Sequence, residues 1–294
     1  MVYFIKNDFM RVGIDKLGAE IVSIATLGEE IEKEYIWQGD KKYWLGHAPI
    51  MFPICGRLYE GKYTYMGKTY EMPNHGIARS SLFRVTAAKD DELTLTLEAN
   101  EATREKYPFE FRFDVTFKLV EKTLEVIYSV KNVDDKELIF TLGGHPAFNV
   151  PLNPETTFED YYVEFENPCD AMRVDFSPTC FCTKNDKLFM GGNVKRIDLK
   201  HDLFDDDAIF LYNTDKKITL KSDATSDSVT ITFDNMKYIG LWHAPKTDAP
   251  YICIEPWCGI PANEGVIDDL ETKEEMIHLP AGFSFSNSYK VEIN

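Results

Sequence analysis

Four short segments hold side chains that can transfer protons or bind a polar ligand, and all four lie among glycines and prolines. They are residues 52–57, 73–79, 143–149 and 253–259. A glycine beside a histidine lets the backbone approach a ligand closely, and a proline fixes the adjoining loop. Imidazole and carboxylate groups are common general acids and bases, so these segments are candidates for a proton-transfer site.

Glu255 has the most informative surroundings of these residues. It follows the apolar run 251–254 and precedes Pro256 and Trp257. A carboxylate at a strand end among apolar residues must be paired, neutral or functional. A functional role is therefore better supported for Glu255 than for the histidines and arginines, which more often are hydrogen-bonded loop residues and surface charges.

The strings NHGIAR, GGHPAFN and CIEPWCG occur in this order, and together they resemble the aldose 1-epimerase (mutarotase) family. The resemblance covers nearly the whole chain and implies a large antiparallel β-sandwich. In that family the His of GGHPAFN is the general acid and the Glu of EPW is the general base. These positions correspond to His145 and Glu255. The sugar-binding His and Arg of the family correspond to His75 and Arg57.

The chemistry of this family fits an imidazole and a carboxylate. A cyclic aldose is a hemiacetal, and its ring opens when the C1 hydroxyl loses a proton and the ring oxygen gains one. Neither step needs a cofactor or a metal. The base must be ionised while the acid is protonated, and the ordinary pKa values of Glu and His, about 4.3 and 6.5, have this order. We expect mutual attraction to separate the two pKa values further, and we expect His145 and Glu255 to lie about a sugar ring apart in one cleft with His75 and Arg57.

Two departures from the family pattern leave the sugar open. Gly76 is followed by Ile77, Ala78 and Arg79 rather than by a second glycine, as in divergent branches that include hexose-6-phosphate epimerases. Arg57 and Arg79 could then serve a phosphate group. The substrate-binding Asp of the family has three candidates in the run 205–207. We choose Asp207 because it directly precedes the apolar run that resumes the strand, although a solvated acidic turn is an equal alternative.

Three other functions compete with an aldose 1-epimerase acting on a free hexose. A hexose-6-phosphate 1-epimerase would use the same acid and base. A non-catalytic carbohydrate-binding sandwich would need neither, and the presence of both His145 and Glu255 counts against it. A glycoside hydrolase normally needs two carboxylates beside the scissile bond, and only Glu255 has a convincing context.

The elements that must position these residues are strands. Apolar and polar residues alternate without interruption over 111–119, and the same period of two recurs at 93–97, 124–130 and 229–233. Short polar turns separate these runs, which predicts an antiparallel sandwich or barrel formed by one domain of residues 1–294. Helix is expected only from Asn100 to Lys106 and as one turn at 271–276. The segment 151–202 is expected to form long loops.

Composition excludes several classes of protein. The 294 residues carry a net charge of −17, which argues against nucleic acid and anionic membranes as partners and favours a small-molecule sugar. No signal peptide and no membrane-spanning run is visible, and the six cysteines are expected to be reduced, which indicates a cytoplasmic protein. Cys180 and Cys182 would share one face of a strand, but no further ligands complete a zinc site, so no metal is expected.

Overall fold

The computed structural model of the protein describes residues 1–28 and 32–294, and strands dominate them. In chain order the strands are β1 Val2–Lys6, β2 Met10–Asp15, β3 Glu20–Thr26, β4 Ile50–Met51, β5 Lys62–Tyr65, β6 Lys68–Glu71, β7 Arg84–Ala88, β8 Glu92–Glu98, β9 Phe111–Val120, β10 Thr123–Asn132, β11 Leu138–Phe140, β12 Gly143–Gly144, β13 Ala147–Asn149, β14 Tyr161–Cys169, β15 Met172–Arg173, β16 Lys187–Leu188, β17 Val194–Asp198, β18 Ile209–Tyr212, β19 Lys217–Ser222, β20 Ser228–Thr232, β21 Tyr238–Trp242, β22 Tyr251–Trp257, β23 Ile277–Leu279 and β24 Ser284–Ile293.

Helix is minor, as the sequence predicts. The described residues form one short α-helix, α1 Glu101–Lys106, and its N-terminus is closed by a capping box between Asn100 and Thr103. Single 3₁₀ turns lie at Tyr59–Gly61, Ala78–Ser80, Phe158–Asp160, Phe189–Gly191 and His201–Phe204. No helix among the described residues is long and apolar enough to cross a membrane.

Two large antiparallel sheets form a sandwich, which confirms the predicted fold class. The nine-stranded sheet has the order β17-β14-β19-β20-β24-β10-β9-β8-β7. The eight-stranded sheet has the order β16-β15-β18-β21-β22-β12-β4, and β13 pairs with β22 beside β12. A three-stranded sheet contains β1, β2 and β3. Two two-stranded sheets pair β5 with β6 and β11 with β23.

The main core lies between the two large sheets. The alternation in β9 places Phe111, Phe113 and Phe117 in this core with almost no exposed surface, as the sequence predicts. Phe113 stacks on Phe52 from the neighbourhood of β4, with ring centroids 4.5 Å apart. Ile254 of β22 belongs to the same cluster, so one face of each large sheet contributes to it.

The other face of the eight-stranded sheet points away from this core. Phe210 of β18 and Trp257 of β22 form a separate cluster there. Side chains alternate between the two faces of β22. Ile252 and Ile254 therefore face the main core, while Glu255 and Trp257 face outward.

Two sequence-based expectations about local structure are wrong. Residues 271–276 form turns without a helix. The segment 151–202 contains the nine-residue strand β14 and the strand β17, which pair with each other in the nine-stranded sheet. The alternation in β14 is lost after Phe165, where charged and proline residues continue the strand, and the sequence therefore looked irregular.

Candidate active site

A cavity of about 240 Å³ opens on the outward face of the eight-stranded sheet. All six residues singled out from the sequence contribute to its wall, although their positions span much of the chain: Arg57, His75, Arg79, His145, Asp207 and Glu255. Aromatic side chains form much of the remaining wall: Trp44, Phe176, Phe210, Trp242 and Trp257.

Glu255 lies inside β22, two residues before its end, and is 3% exposed. Its partner on the neighbouring strand β21 is Gly240, and a side chain at Gly240 would press against Phe210 and the Cβ of Glu255. The absence of that side chain leaves room for the carboxylate. Trp257 Nε1 donates a hydrogen bond to Glu255 Oε2 at 3.2 Å, which fixes one oxygen and leaves the other for a ligand.

His145 lies opposite Glu255 because of strand register. Gly143 pairs with Trp257 and Ala147 pairs with Cys253, so the same antiparallel register places His145 across from Glu255. Directly opposite side chains are close neighbours in such pairs. The Nε2 of His145 is 3.3 Å from Oε2 of Glu255.

The expected separation of about one sugar ring is therefore wrong. Strand register explains the short distance, because it places the two side chains directly across from each other.

The His145 ring is held between aromatic side chains. It stacks on Trp44, with ring centroids 5.1 Å apart and planes inclined by 30°, and its edge contacts Trp242. Its Nδ1 is buried without a hydrogen-bond partner among the described residues, whereas its Nε2 lies next to Glu255. The stacking therefore supplies the orientation that a hydrogen bond to Nδ1 would otherwise give.

Burial shifts the pKa values of His145 and Glu255 in the directions opposite to those expected from the sequence. It lowers the pKa of His145 to about 3, and it raises the pKa of Glu255 well above its ordinary value, with a further increase from the nearby Asp207. The expectation that attraction would separate the pKa values in the opposite sense is wrong for this structure, because desolvation penalises both charges. Burial therefore favours the neutral form of each group.

His75 is anchored by the loop that carries Arg57. The backbone N–H of Gly56 donates to His75 Nδ1 at 3.2 Å, and the N–H of His75 donates to the carbonyl oxygen of Gly56 at 2.9 Å. Burial, and then the neighbouring His145, hold the pKa of His75 well below its usual value. The ring is therefore neutral with its proton on Nε2, which makes that nitrogen a hydrogen-bond donor.

Asp207 is the member of the acidic run that reaches the cavity. Trp242 Nε1 donates to Asp207 Oδ1 at 2.6 Å, and the backbone of Asp207 has a positive φ of 75°. Asp205 and Asp206 line a larger adjoining cavity of about 870 Å³ but not the first one.

Comparison with known proteins identifies the family. A family model described as aldose 1-epimerase matches residues 1–283. The chain belongs to the aldose 1-epimerase family. A galactose mutarotase related enzyme from Lactobacillus acidophilus is 35% identical, covers 100% of this chain and 97% of its own, and has a TM-score of 0.93.

Two curated relatives of this epimerase family member are more distant in sequence. Protein LacX (chromosomal) of Lactococcus lactis subsp. lactis is 29% identical over 301 residues, which cover 100% of this chain and 99% of the relative. A putative glucose-6-phosphate 1-epimerase of Salmonella typhimurium is 29% identical over 143 residues, which cover 45% of this chain and 43% of the relative.

Some cavity residues of this aldose 1-epimerase family member were missed or underrated from sequence. Trp242 was not among the residues singled out from the sequence, although it lines the cavity and donates a hydrogen bond to Asp207. Its position directly after the apolar strand β21 was the available signal. Trp44 lies in an irregular segment, and nothing in its sequence context distinguished it from a core tryptophan.

The cysteines of this family member differ from the expected arrangement. Cys180 and Cys182 do not share a strand face, because Cys180 lies in a bend with a positive φ and Cys182 forms an isolated bridge. Cys253 instead lies beside the acid–base pair. One ligand atom each from His145, Cys253 and Glu255 lie within 4.8 Å of one another, and these are the described residues that could hold a metal ion.

Proposed function

We propose that the protein is an aldose 1-epimerase that interconverts the α and β anomers of a hexose, with His145 as general acid and Glu255 as general base. The observation that carries the proposal is the 3.3 Å approach of His145 Nε2 to Glu255 Oε2 at the wall of a cavity that also contains Arg57, His75 and Asp207. Membership of the aldose 1-epimerase family supports the same reaction class.

In this mechanism Glu255 accepts the proton of the C1 hydroxyl while His145 donates a proton to the ring oxygen. The C1–O bond of the ring breaks and an open-chain aldehyde forms. Rotation about C1–C2 presents the other carbonyl face, and the two transfers then run backward. The pair begins and ends each cycle with one proton, so no external acid or base is consumed.

The remaining polar residues would bind and orient the sugar. Arg57 and the Nε2–H of His75 are donors for sugar oxygens, and a donor beside the ring oxygen or the aldehyde oxygen stabilises developing negative charge. Asp207 is an acceptor for sugar hydroxyls and is held by Trp242. Before ring opening the shared proton must lie on His145, so the polar groups of the bound sugar must shift it there from Glu255.

The test is anomer exchange measured by polarimetry and by NMR on free aldoses and their 6-phosphates. We expect catalysis well above the spontaneous rate for at least one free hexose. Catalysis of no aldose, together with sugar binding, would replace the proposal by the non-catalytic carbohydrate-binding function.

A hexose-6-phosphate is the second candidate substrate. Arg173, Lys187 and Lys246 line the adjoining cavity, and Arg57 and Asp207 line both cavities. These cations would bind a 6-phosphate beside the carboxylates of Asp175, Asp205 and Asp206, which line the same cavity. A rate constant that is higher for the 6-phosphate than for the free hexose would select this substrate.

Metal removal should leave the reaction unchanged, because both proton transfers are assigned to side chains. We expect the exchange rate after prolonged EDTA treatment and dialysis to equal the untreated rate. Loss of activity that one specific divalent metal restores would contradict the assignment.

The pH profile of kcat/KM in metal-free buffer should have a broad plateau. The singly protonated pair persists from the lowered pKa of His145, about 3, to the raised pKa of Glu255. The rate should fall below this window, where the pair gains a second proton, and above it, where the pair loses its proton. An acid limb near the ordinary Glu value of about 4.3 would show that burial does not control the pair.

A cytoplasmic location belongs to the same proposal. All six cysteines are free thiols, and Cys55, Cys182 and Cys253 are buried. Free thiols are typical of proteins kept in a reducing compartment.

A further inference from the structure

Cys253 is the residue beside the acid–base pair that the proposed mechanism does not use. It lies two residues before Glu255 on β22, so both side chains leave the same face of the strand. Its cross-strand partner is Ala147, a small residue two positions after His145. The register that brings His145 opposite Glu255 therefore also brings a thiol to them, and the three ligand atoms lie within 4.8 Å of one another.

We propose that His145, Cys253 and Glu255 bind a thiophilic divalent transition-metal ion such as Zn²⁺, and that this ion inhibits the enzyme. Thiolate, imidazole and carboxylate are the ligand types that Zn²⁺ takes in proteins, and three protein ligands leave its fourth tetrahedral position for water. The hard ions Mg²⁺ and Ca²⁺ prefer oxygen ligands alone and are not expected to bind here.

Charge balance favours a divalent ion in this buried position. Cys253 is fully buried and Glu255 and His145 nearly so, and uncompensated charge is costly there. Metal binding requires the thiolate form of Cys253, the carboxylate form of Glu255 and the neutral form of His145, so protons held by these groups leave as the ion enters. A thiolate, a carboxylate and a neutral imidazole then exactly cancel the charge of the ion.

Inhibition follows from which atoms the ion occupies. A metal on Nε2 of His145 prevents that nitrogen from donating a proton, and a metal on the carboxylate prevents Glu255 from accepting one. The inhibition rests on the proposed function. Binding of the ion does not, because it depends only on the three ligands.

The first test titrates Zn²⁺ into EDTA-treated, dialysed protein while anomer exchange is followed. We expect complete inhibition that excess EDTA reverses, and no inhibition by Mg²⁺. Cys253→Ser should raise the inhibitory Zn²⁺ concentration at least tenfold, since loss of a direct ligand should cost at least the roughly 10–100-fold that loss of a supporting partner costs. Cys169→Ser, which removes a thiol at the end of β14, should leave the inhibitory concentration unchanged.

The second test detects the bound metal by its absorption spectrum and does not depend on activity. Co²⁺ added to the metal-free protein should give visible bands of a four-coordinate ion and a near-ultraviolet thiolate-to-cobalt charge-transfer band. The charge-transfer band should disappear in Cys253→Ser while the melting curve of the variant shows that it is folded. If the protein catalyses no anomer exchange, the cobalt spectrum still decides the proposal.

Three results would overturn the proposal. One is a cobalt spectrum without a thiolate band, and another is zinc inhibition that Cys253→Ser does not weaken. The third is inhibition lost in Cys180→Ser, because Cys180 lines the cavity beside Asp207 and would then be the thiol that binds the metal.

Discussion

Glu255→Gln should lower the per-molecule rate of anomer exchange by at least about 10²-fold, the smallest loss expected for one acid–base group. The amide keeps the size of the side chain and an oxygen that can accept the hydrogen bond from Trp257, but it cannot accept the C1 hydroxyl proton. Sugar binding should change little. The measurement is NMR exchange at saturating sugar on protein whose folding is checked by its melting curve.

Glu34→Gln is the matched control for a carboxylate with a structural role. Glu34 accepts hydrogen bonds from the backbone N–H groups of Ile24 and Ile36 and from the hydroxyl of Ser23, away from the cavity. Its substitution should cost about 1–3 kcal/mol of stability and leave the rate of the folded protein unchanged. If Glu255→Gln behaves in this way, Glu255 is not the base and the proposed mechanism fails.

Gly76→Ala should destabilise the protein by about 2–5 kcal/mol and displace the loop that carries His75. Two costs add here. Gly76 has a positive φ of 77°, which costs an L-residue about 1–2 kcal/mol. A Cβ at Gly76 would also overlap the carbonyl group of Phe52 and the backbone nitrogen of Pro53, and overpacking of this kind typically costs about 1–3 kcal/mol. Denaturant unfolding measures the sum.

Gly67→Ala separates the two costs. Gly67 has nearly the same φ, 73°, but no atom lies within 4 Å of the position its Cβ would take. This variant should lose only the conformational contribution, about 1–2 kcal/mol, and should keep full activity. Equal losses in the two variants would show that the contact with Phe52 is relieved at little cost.

Strands with one buried face were predictable from sequence. In β8, β9 and β10 the hydrophobic residues alternate with polar ones, and the structure buries the expected face of each. The alternating pattern did not show which face of β22 points to the core, because burial does not alternate there. All seven residues of β22 are buried: Glu255 and Trp257 face the cavity, while Ile252 and Ile254 face the main core. The assignment of residues 1–294 to one domain stays a prediction.

The identity of the site residues was easier to predict than their geometry. The four motif segments contain five of the six residues that meet in the cavity, and the sixth, Asp207, comes from the acidic run 205–207. The catalytic and binding roles of all six stay predictions. The distance between His145 and Glu255 depends on the register between β22 and the β12–β13 segment, and no local pattern reports a register between strands so far apart in sequence. The pKa order depends on burial of both groups, which sequence does not show.

The position of β22 has a consequence for how activity is lost on heating. It is an interior strand, hydrogen-bonded to β21 on one side and to β12 and β13 on the other, and Ile252 and Ile254 anchor its reverse face. Local opening cannot free such a strand without disrupting the sandwich, so its amide hydrogens should exchange only through global unfolding. The proposed base, Glu255, therefore lies on a strand that opens only with the whole sandwich, and thermal inactivation should coincide with melting rather than precede it.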